Sequence, residues 1–235
     1  MEIVSITIAM TVALLLLTFT GFVVLDFLLN RKHPVAVPEQ PKARTPSVAP
    51  FLQPAFVDGF AVPEELRYHH GHAWLYRERK SLSRVGVDEL AAAVAGDIEA
   101  INLPKPGQWI RQGQKAWSVT RNGETVEMIS PTEGEVVAIN EEILRYPSLL
   151  PADPYGKGWL FTVHVPDEES TTRNLVPKNM VRLWMRDAVE RLYAMQPNLA
   201  GATAADGGVP VDDIVAHIPN ASWKELASEF FLTVK

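Results

Sequence analysis

The sequence contains no cysteine. That excludes disulfides, thiolate metal sites, iron–sulfur ligation and a cysteine nucleophile. It also lacks a basic run or stripe. With a net charge of −6 and a pI of about 5.5, it does not carry the electrostatic footprint of a nucleic-acid binder. No glycine-rich phosphate loop, metalloprotease helix or nucleophile elbow occurs. The adjacent carboxylates Asp212-Asp213 and Glu141-Glu142 do not share a helix face and read as solvated charge. No catalytic residue is expected, and the chain does not read as an enzyme. One further absence matters below: no lysine lies between Lys115 and Lys157.

What the chain does have begins with an uncharged apolar run from Ile3 to Leu25. At about 1.5 Å per residue its helix would measure roughly 35 Å, enough to cross a bilayer core. The first charges of basic sign, Arg31 and Lys32, follow the run, and the run is too long for the core of a cleaved signal. Residues 1–31 are therefore expected to form a single-pass inner-membrane anchor, touching lipid through residues 3–29. The positive-inside rule places the remainder in the cytoplasm. Residues 32–63 are rich in proline and read as a semi-extended linker.

Residues 64–167 read as short strands punctuated by Gly and Pro, the composition of a small antiparallel barrel or sandwich. The pattern predicts strands at His72–Tyr76, Leu82–Val87, Ile98–Leu103, Lys115–Thr120, Thr125–Ile129, Glu135–Ile139 and Trp159–Val165. A short Ala-rich helix capped by Asp88 interrupts them. Asn122-Gly123, between two β runs, predicts a type I′ hairpin. His69, His70 and His72 are the one metal-like cluster. His70 and His72 would share a strand face, but no carboxylate or thiolate stands nearby in sequence, so they are weak candidates and no metal is expected.

The C-terminal part adds helices. The segment 168–197 is expected to hold an amphipathic helix, Asn174–Gln196, capped by Asn174 with Pro177 in its first turn and with Met180, Val181, Trp184, Ala188, Leu192 and Met195 on one apolar face. Residues 198–210 read as a linker, and 211–235 as a helical segment. There Ser222 and Glu225 form a capping box ahead of an aromatic stripe of Trp223, Phe230 and Phe231. So short a helix needs a docking surface. The chain's own domain is the favoured surface; Trp184, Trp223, Phe230 and Phe231 are the candidates for contact with a partner protein.

Four blocks of the β region, in order, resemble the glycine cleavage system H protein family. They are YHHGHAWL (68–75), the segment 85–113, SPTEGEVVAIN (130–140) and YPSLLPADPYGKGWLF (146–161). The matching positions include His72, Gly113, Pro131, Gly134, Pro154, Tyr155, Gly156, Gly158 and Trp159. The resemblance implies a barrel-sandwich hybrid of the lipoyl type, here mainly β with an N-terminal transmembrane helix and C-terminal amphipathic helices. It also implies a lysine at one hairpin tip carrying lipoate, an aminomethyl carrier arm. In the family that lysine lies ten residues after the glycine matching Gly113 and eight before the proline matching Pro131. Both counts end on Gly123, and the family's Glu-Ser-Val-Lys is Thr120-Arg121-Asn122-Gly123. No lipoate is therefore expected at this degenerate position. The chain reads as a membrane-anchored, non-lipoylated H-protein-like scaffold or accessory subunit for an unnamed protein partner. The alternative is a lipoyl carrier of the glycine cleavage system with its attachment at another lysine, Lys115 being the nearest.

Overall fold

In the computed structural model the described residues are 10, 14–22, 25, 52, 53, 55–195 and 222–232. They fall into two units divided between Lys42 and Ala43. In the first unit, Met10, residues 14–22 and Leu25 are helical and exposed. Leu14, Leu15, Leu16, Leu17, Phe19 and Phe22 all show more than half of their surface. Among the described residues no helix is long and apolar enough to cross a membrane. The rest of the expected span 3–29 lies outside them, as do most of the two expected linkers.

The second unit is mainly β. A six-stranded sheet has the order β3-β4-β5-β11-β10-β7, and a three-stranded sheet the order β6-β8-β9. Their strands are β3 (Arg67–Tyr68), β4 (Ala73–Arg79), β5 (Leu82–Val87), β6 (Ala100–Asn102), β7 (Trp109–Ile110), β8 (Lys115–Arg121), β9 (Glu124–Ile129), β10 (Gly134–Ile139) and β11 (Phe161–His164). Ahead of them a small hairpin pairs β1 (Phe56–Val57) with β2 (Phe60–Ala61). Every pairing is antiparallel. The period-two pattern explains why the sheets face each other. Along β8, Trp117, Val119 and Arg121 point inward, and along β9 Val126 and Met128 do. These meet Phe161, Val163, Val85 and Trp74 in one core.

Two close approaches set the geometry of that core. Trp74 and Gly86 are cross-strand partners. A Cβ at Gly86 would overlap the Trp74 indole, so only glycine lets the ring lie flat across β5. The ring then donates from Nε1 to the carbonyls of Val87 at 2.8 Å and Pro154 at 3.2 Å. At Gly134 a Cβ would overlap the carbonyl oxygen of His164.

The helices are α1 (Glu89–Ala95), α2 (Glu141–Arg145), α3 (Leu149–Ala152), α4 (Glu168–Arg173), α5 (Val181–Ala194) and α6 (Trp223–Phe231). Asp88 caps α1 as expected, accepting from Ala91 N. The segment 168–197 holds α4, a 3₁₀ turn at Lys178–Met180 and α5, so the helix expected from Asn174 begins only at Val181. Pro177 takes a ψ of 137°, outside the helical region, and precedes the helix rather than opening it. The Val176 N–H goes to the Tyr68 carbonyl at 2.8 Å, so the chain runs beside β3 at this point. Asn174 ends α4 rather than starting a helix. The buried face of α5 is also shifted: Val181, Met185, Ala188, Val189 and Leu192 are inside, while Met180 and Met195 are exposed.

The capping box at Ser222 and Glu225 forms as read. Its helix, α6, packs on α1 and β9 and buries Trp223, Leu226, Ala227, Phe230 and Phe231. The aromatic side chains considered for partner contact at Trp223, Phe230 and Phe231 are thus inside this fold, on the chain's own domain. Truncating such a buried ring costs about 3–5 kcal/mol. Phe230→Ala should lower the urea midpoint accordingly. Gly86→Ala should cost roughly 1–3 kcal/mol through overpacking. A Gly86→Ala variant as stable as the parent would show that Trp74 is free to move.

Candidate functional site

The hairpin between β8 and β9 closes with Arg121 opposite Glu124. Asn122 and Gly123 take φ of 49° and 72°, the two left-handed residues of a type I′ turn. Both are exposed. A Cβ on Gly123 would meet nothing within 4 Å, so position 123 faces open space. The backbone around it is held. Arg121 is buried and its Nη1 donates to the carbonyl of Ala95, the last residue of α1, at 3.0 Å. A guanidinium at a helix C-terminus is favourable for charge as well as hydrogen bonding. Glu99 accepts the N–H of Gly123 at 3.1 Å, and the hydroxyls of Thr120 and Thr125 bond across the ladder at 2.9 Å. Lys115 sits at the other end of β8 and pairs with Glu127 at 2.6 Å. At about 3.3 Å per residue it stands roughly 20 Å from the tip.

Behind the hairpin, His72 is not in a strand. It has φ of 58° in the turn before β4, so His70 and His72 do not share a strand face. The turn aims the buried imidazole at Asp88, with Nδ1 at 2.8 Å from Oδ2. Asp88 Oδ1 holds the N–H of Ala91. Trp184 stacks on the imidazole at 4.6 Å, and Phe230 meets its edge at 6.1 Å. His70 is exposed, with its ring 6.4 Å from Trp184. His69 is buried, and its Nδ1 accepts the N–H of Gly71 at 3.1 Å. Among the described residues no group of three or more metal-ligating side chains is arranged to hold an ion.

The remaining motif positions are framework. Gly113 donates to Ser130 O, and the Pro131 carbonyl accepts from Gln112. Tyr155 donates to Ala61 O at 2.6 Å and accepts from Glu89 N at 3.1 Å. Burial raises the Tyr155 phenol well above its ordinary value, which keeps it a donor. A Cβ on Gly156 would strike the Asp153 carboxylate, and one on Gly158 its carbonyl. The Arg84 guanidinium lies 4.9 Å over the Trp159 ring. Sequence reading missed three linking groups: the Asp88 side chain as partner of His72, Arg121 as an inward anchor, and Glu89, which accepts from Ala61 N at 2.5 Å. A charged residue on the inward phase of a strand was the available signal for Arg121.

The described residues of the second unit thus form a mainly β module with one tight hairpin displayed above a closed core. The family model for the glycine cleavage H-protein matches residues 66–187, just over half the chain, and the chain belongs to that family. It is 34% identical to the glycine cleavage system H protein of Streptomyces coelicolor over 106 residues, 45% of this chain and 85% of the relative. It is 37% identical to that of Aeromonas salmonicida, also over 106 residues, 45% of this chain and 82% of the relative. A crystal structure of the H protein from Mycobacterium marinum aligns with a TM-score of 0.42 and 26% identity, over 45% of this chain and 87% of that one. The segments carrying β1, β2 and α6 lie outside the family match.

Burial, reinforced by His70 and His72 nearby, lowers His69 to about 4 from 6.5. The unfolded chain takes up the proton near 6.5 while the fold resists until about 4. Stability should therefore fall as the pH drops through that window, by up to roughly 3 kcal/mol. In His69→Asn, whose side-chain oxygen can still accept from Gly71, the urea midpoint should lose much of this slope. An unchanged slope would place the titration elsewhere.

Proposed function

We propose that this chain is a membrane-anchored H-protein-type module that carries no lipoate at the family site and acts as a non-catalytic scaffold or accessory subunit. The observation that carries the reading is Gly123. It occupies the tip where the family resemblance expects the carrier lysine, and no lysine lies from 116 to 156. An amide to lipoate needs a primary amine there, so these residues do not fit the group. Arg121 and Glu99 tie this turn to α1 and to the residue before β6. The exposed apolar residues of helix 14–22 support attachment to a bilayer, with the β domain on the cytoplasmic side.

A second reading has its own support, because the relatives are named glycine cleavage system H proteins. On that reading the chain is an aminomethyl carrier with lipoate on another lysine. Intact mass of the full chain, produced together with lipoate-attaching enzymes, separates the two. We expect the unmodified mass. A lipoyl increment on Lys115 or any other lysine would sink the scaffold reading. In Gly123→Lys the side chain enters open space at a positive φ, at a cost of about 1–2 kcal/mol. The variant should fold and become a lipoylation substrate wherever the enzyme still recognises the surrounding hairpin.

A further inference from the structure

The tip of the β8–β9 hairpin carries a chemically labile pair. Asn122-Gly123 is the one Asn-Gly pair in the chain. Where such a pair is free, the main-chain nitrogen of glycine attacks the asparagine side-chain amide, because no side chain shields it. Both residues are exposed here, and a Cβ on Gly123 would meet nothing within 4 Å. Burial and crowding therefore do not protect the pair. The turn does. Asn122 has φ of 49°, and a type I′ turn sets its ψ at about +30°. At that angle Cβ of Asn122 and the nitrogen of Gly123 lie on opposite sides of the Cα–C bond, so Cγ is out of the nitrogen's reach. Glu99 adds a second hold. Its Oε2 accepts the N–H of Gly123 at 3.1 Å. Its own main-chain N–H is bonded to the Thr120 carbonyl at 2.9 Å, so the carboxylate is carried on the segment paired with β8.

We propose that Asn122 is a self-modification site gated by this turn, with Glu99 as the catch. When the turn opens, the Gly123 nitrogen bonds to Cγ of Asn122. The Cγ–Nδ2 bond breaks, and ammonia leaves with the proton from the Gly123 nitrogen. Water then opens the cyclic imide. Cleavage between the Gly123 nitrogen and Cγ leaves aspartate at 122. Cleavage between that nitrogen and the main-chain carbonyl carbon leaves isoaspartate, with the chain running through the former side chain. Both products resist reclosing. Each adds a carboxylate to a turn that Glu99 and Glu124 already flank, and like charges placed together destabilise a hairpin. Isoaspartate also lengthens the main chain by a carbon inside a turn whose length fixes Arg121 opposite Glu124. The change is therefore one-way, and the tip keeps a covalent record of its own opening. The chemistry needs neither the membrane anchor nor the scaffold role, so its failure leaves that reading untouched.

The test incubates the full chain in mildly alkaline buffer, folded in mild detergent or unfolded in guanidinium chloride. The digested peptide that spans residue 122 is then followed by mass. Replacing the amide NH₂ by OH shifts that mass, whereas Asp58-Gly59 and Asp206-Gly207 can only isomerise, without a shift. We expect the folded chain to react at least about tenfold more slowly than the unfolded one. Glu99→Ala removes the acceptor and should speed the folded reaction roughly fivefold. Hydrogen exchange at the Gly123 amide should rise by the same factor, since both read the open turn. Glu99→Gln keeps a side-chain oxygen for the Gly123 N–H and should stay near the parent rate. Slower reaction in both variants would make Glu99 the base that activates the nitrogen and would overturn the proposal. A folded chain as reactive as the unfolded one, or no mass shift at 122 even after unfolding, also overturns it.

Discussion

Asp88 is fully buried, and its two carboxylate oxygens are divided between two tasks. Oδ1 starts helix α1 through Ala91 N, and Oδ2 fixes the ring of His72. A buried carboxylate is tolerated only when its oxygens are occupied, so helix and histidine are set together. The consequence spreads outward. The fixed imidazole is the platform on which Trp184 of α5 stacks and against which Phe230 of α6 rests. The far end of α1 presents the Ala95 carbonyl to Arg121 at the hairpin. One buried hydrogen-bonded pair thus connects the start of β4, α1 and both C-terminal helices, and through α1 it reaches the turn at Asn122-Gly123.

That connection bears on what the hairpin can do. A carrier arm takes its reach from a long, flexible side chain at the tip, not from motion of the turn beneath it. Here the position has no side chain, and the neighbours are held by a buried guanidinium and a carboxylate bonded to the turn's own N–H. Without a side chain there is no arm at this position, while the held neighbours fix the shape of the turn that remains. A scaffold, by contrast, gains from rigidity, because an ordered surface loses less entropy when a partner binds.

Much of this was legible in the residues. The Asn-Gly turn, the Asp88 cap and the Ser222–Glu225 capping box are local patterns enforced by local hydrogen bonds. They survive folding unchanged. What was not legible depends on distant partners. His72 leaves the strand register because Asp88 and Trp184 hold it in a left-handed turn. The helix expected from Asn174 starts at Val181 instead, because the Val176 N–H is taken by Tyr68. The buried face of α5 is set by Met185 and Val189, where periodicity alone gave equal standing to Met180 and Met195. Arg121 turns inward because α1 ends within its reach, a coincidence of tertiary structure that no short window contains.

The segments beyond the family match give the last step. The hairpin β1–β2 is bonded into the domain by Glu89 and Tyr155, both buried, and α6 lays its aromatic stripe on α1 and β9. Each addition covers part of the family-matched domain. Fully burying even one large apolar side chain is worth about 1.5–3 kcal/mol, so neither segment is a loosely associated tail. Among the described residues, the hairpin tip and the outer faces of the sheets stay exposed. The additions have therefore narrowed the surface of the family-matched domain that other molecules can reach.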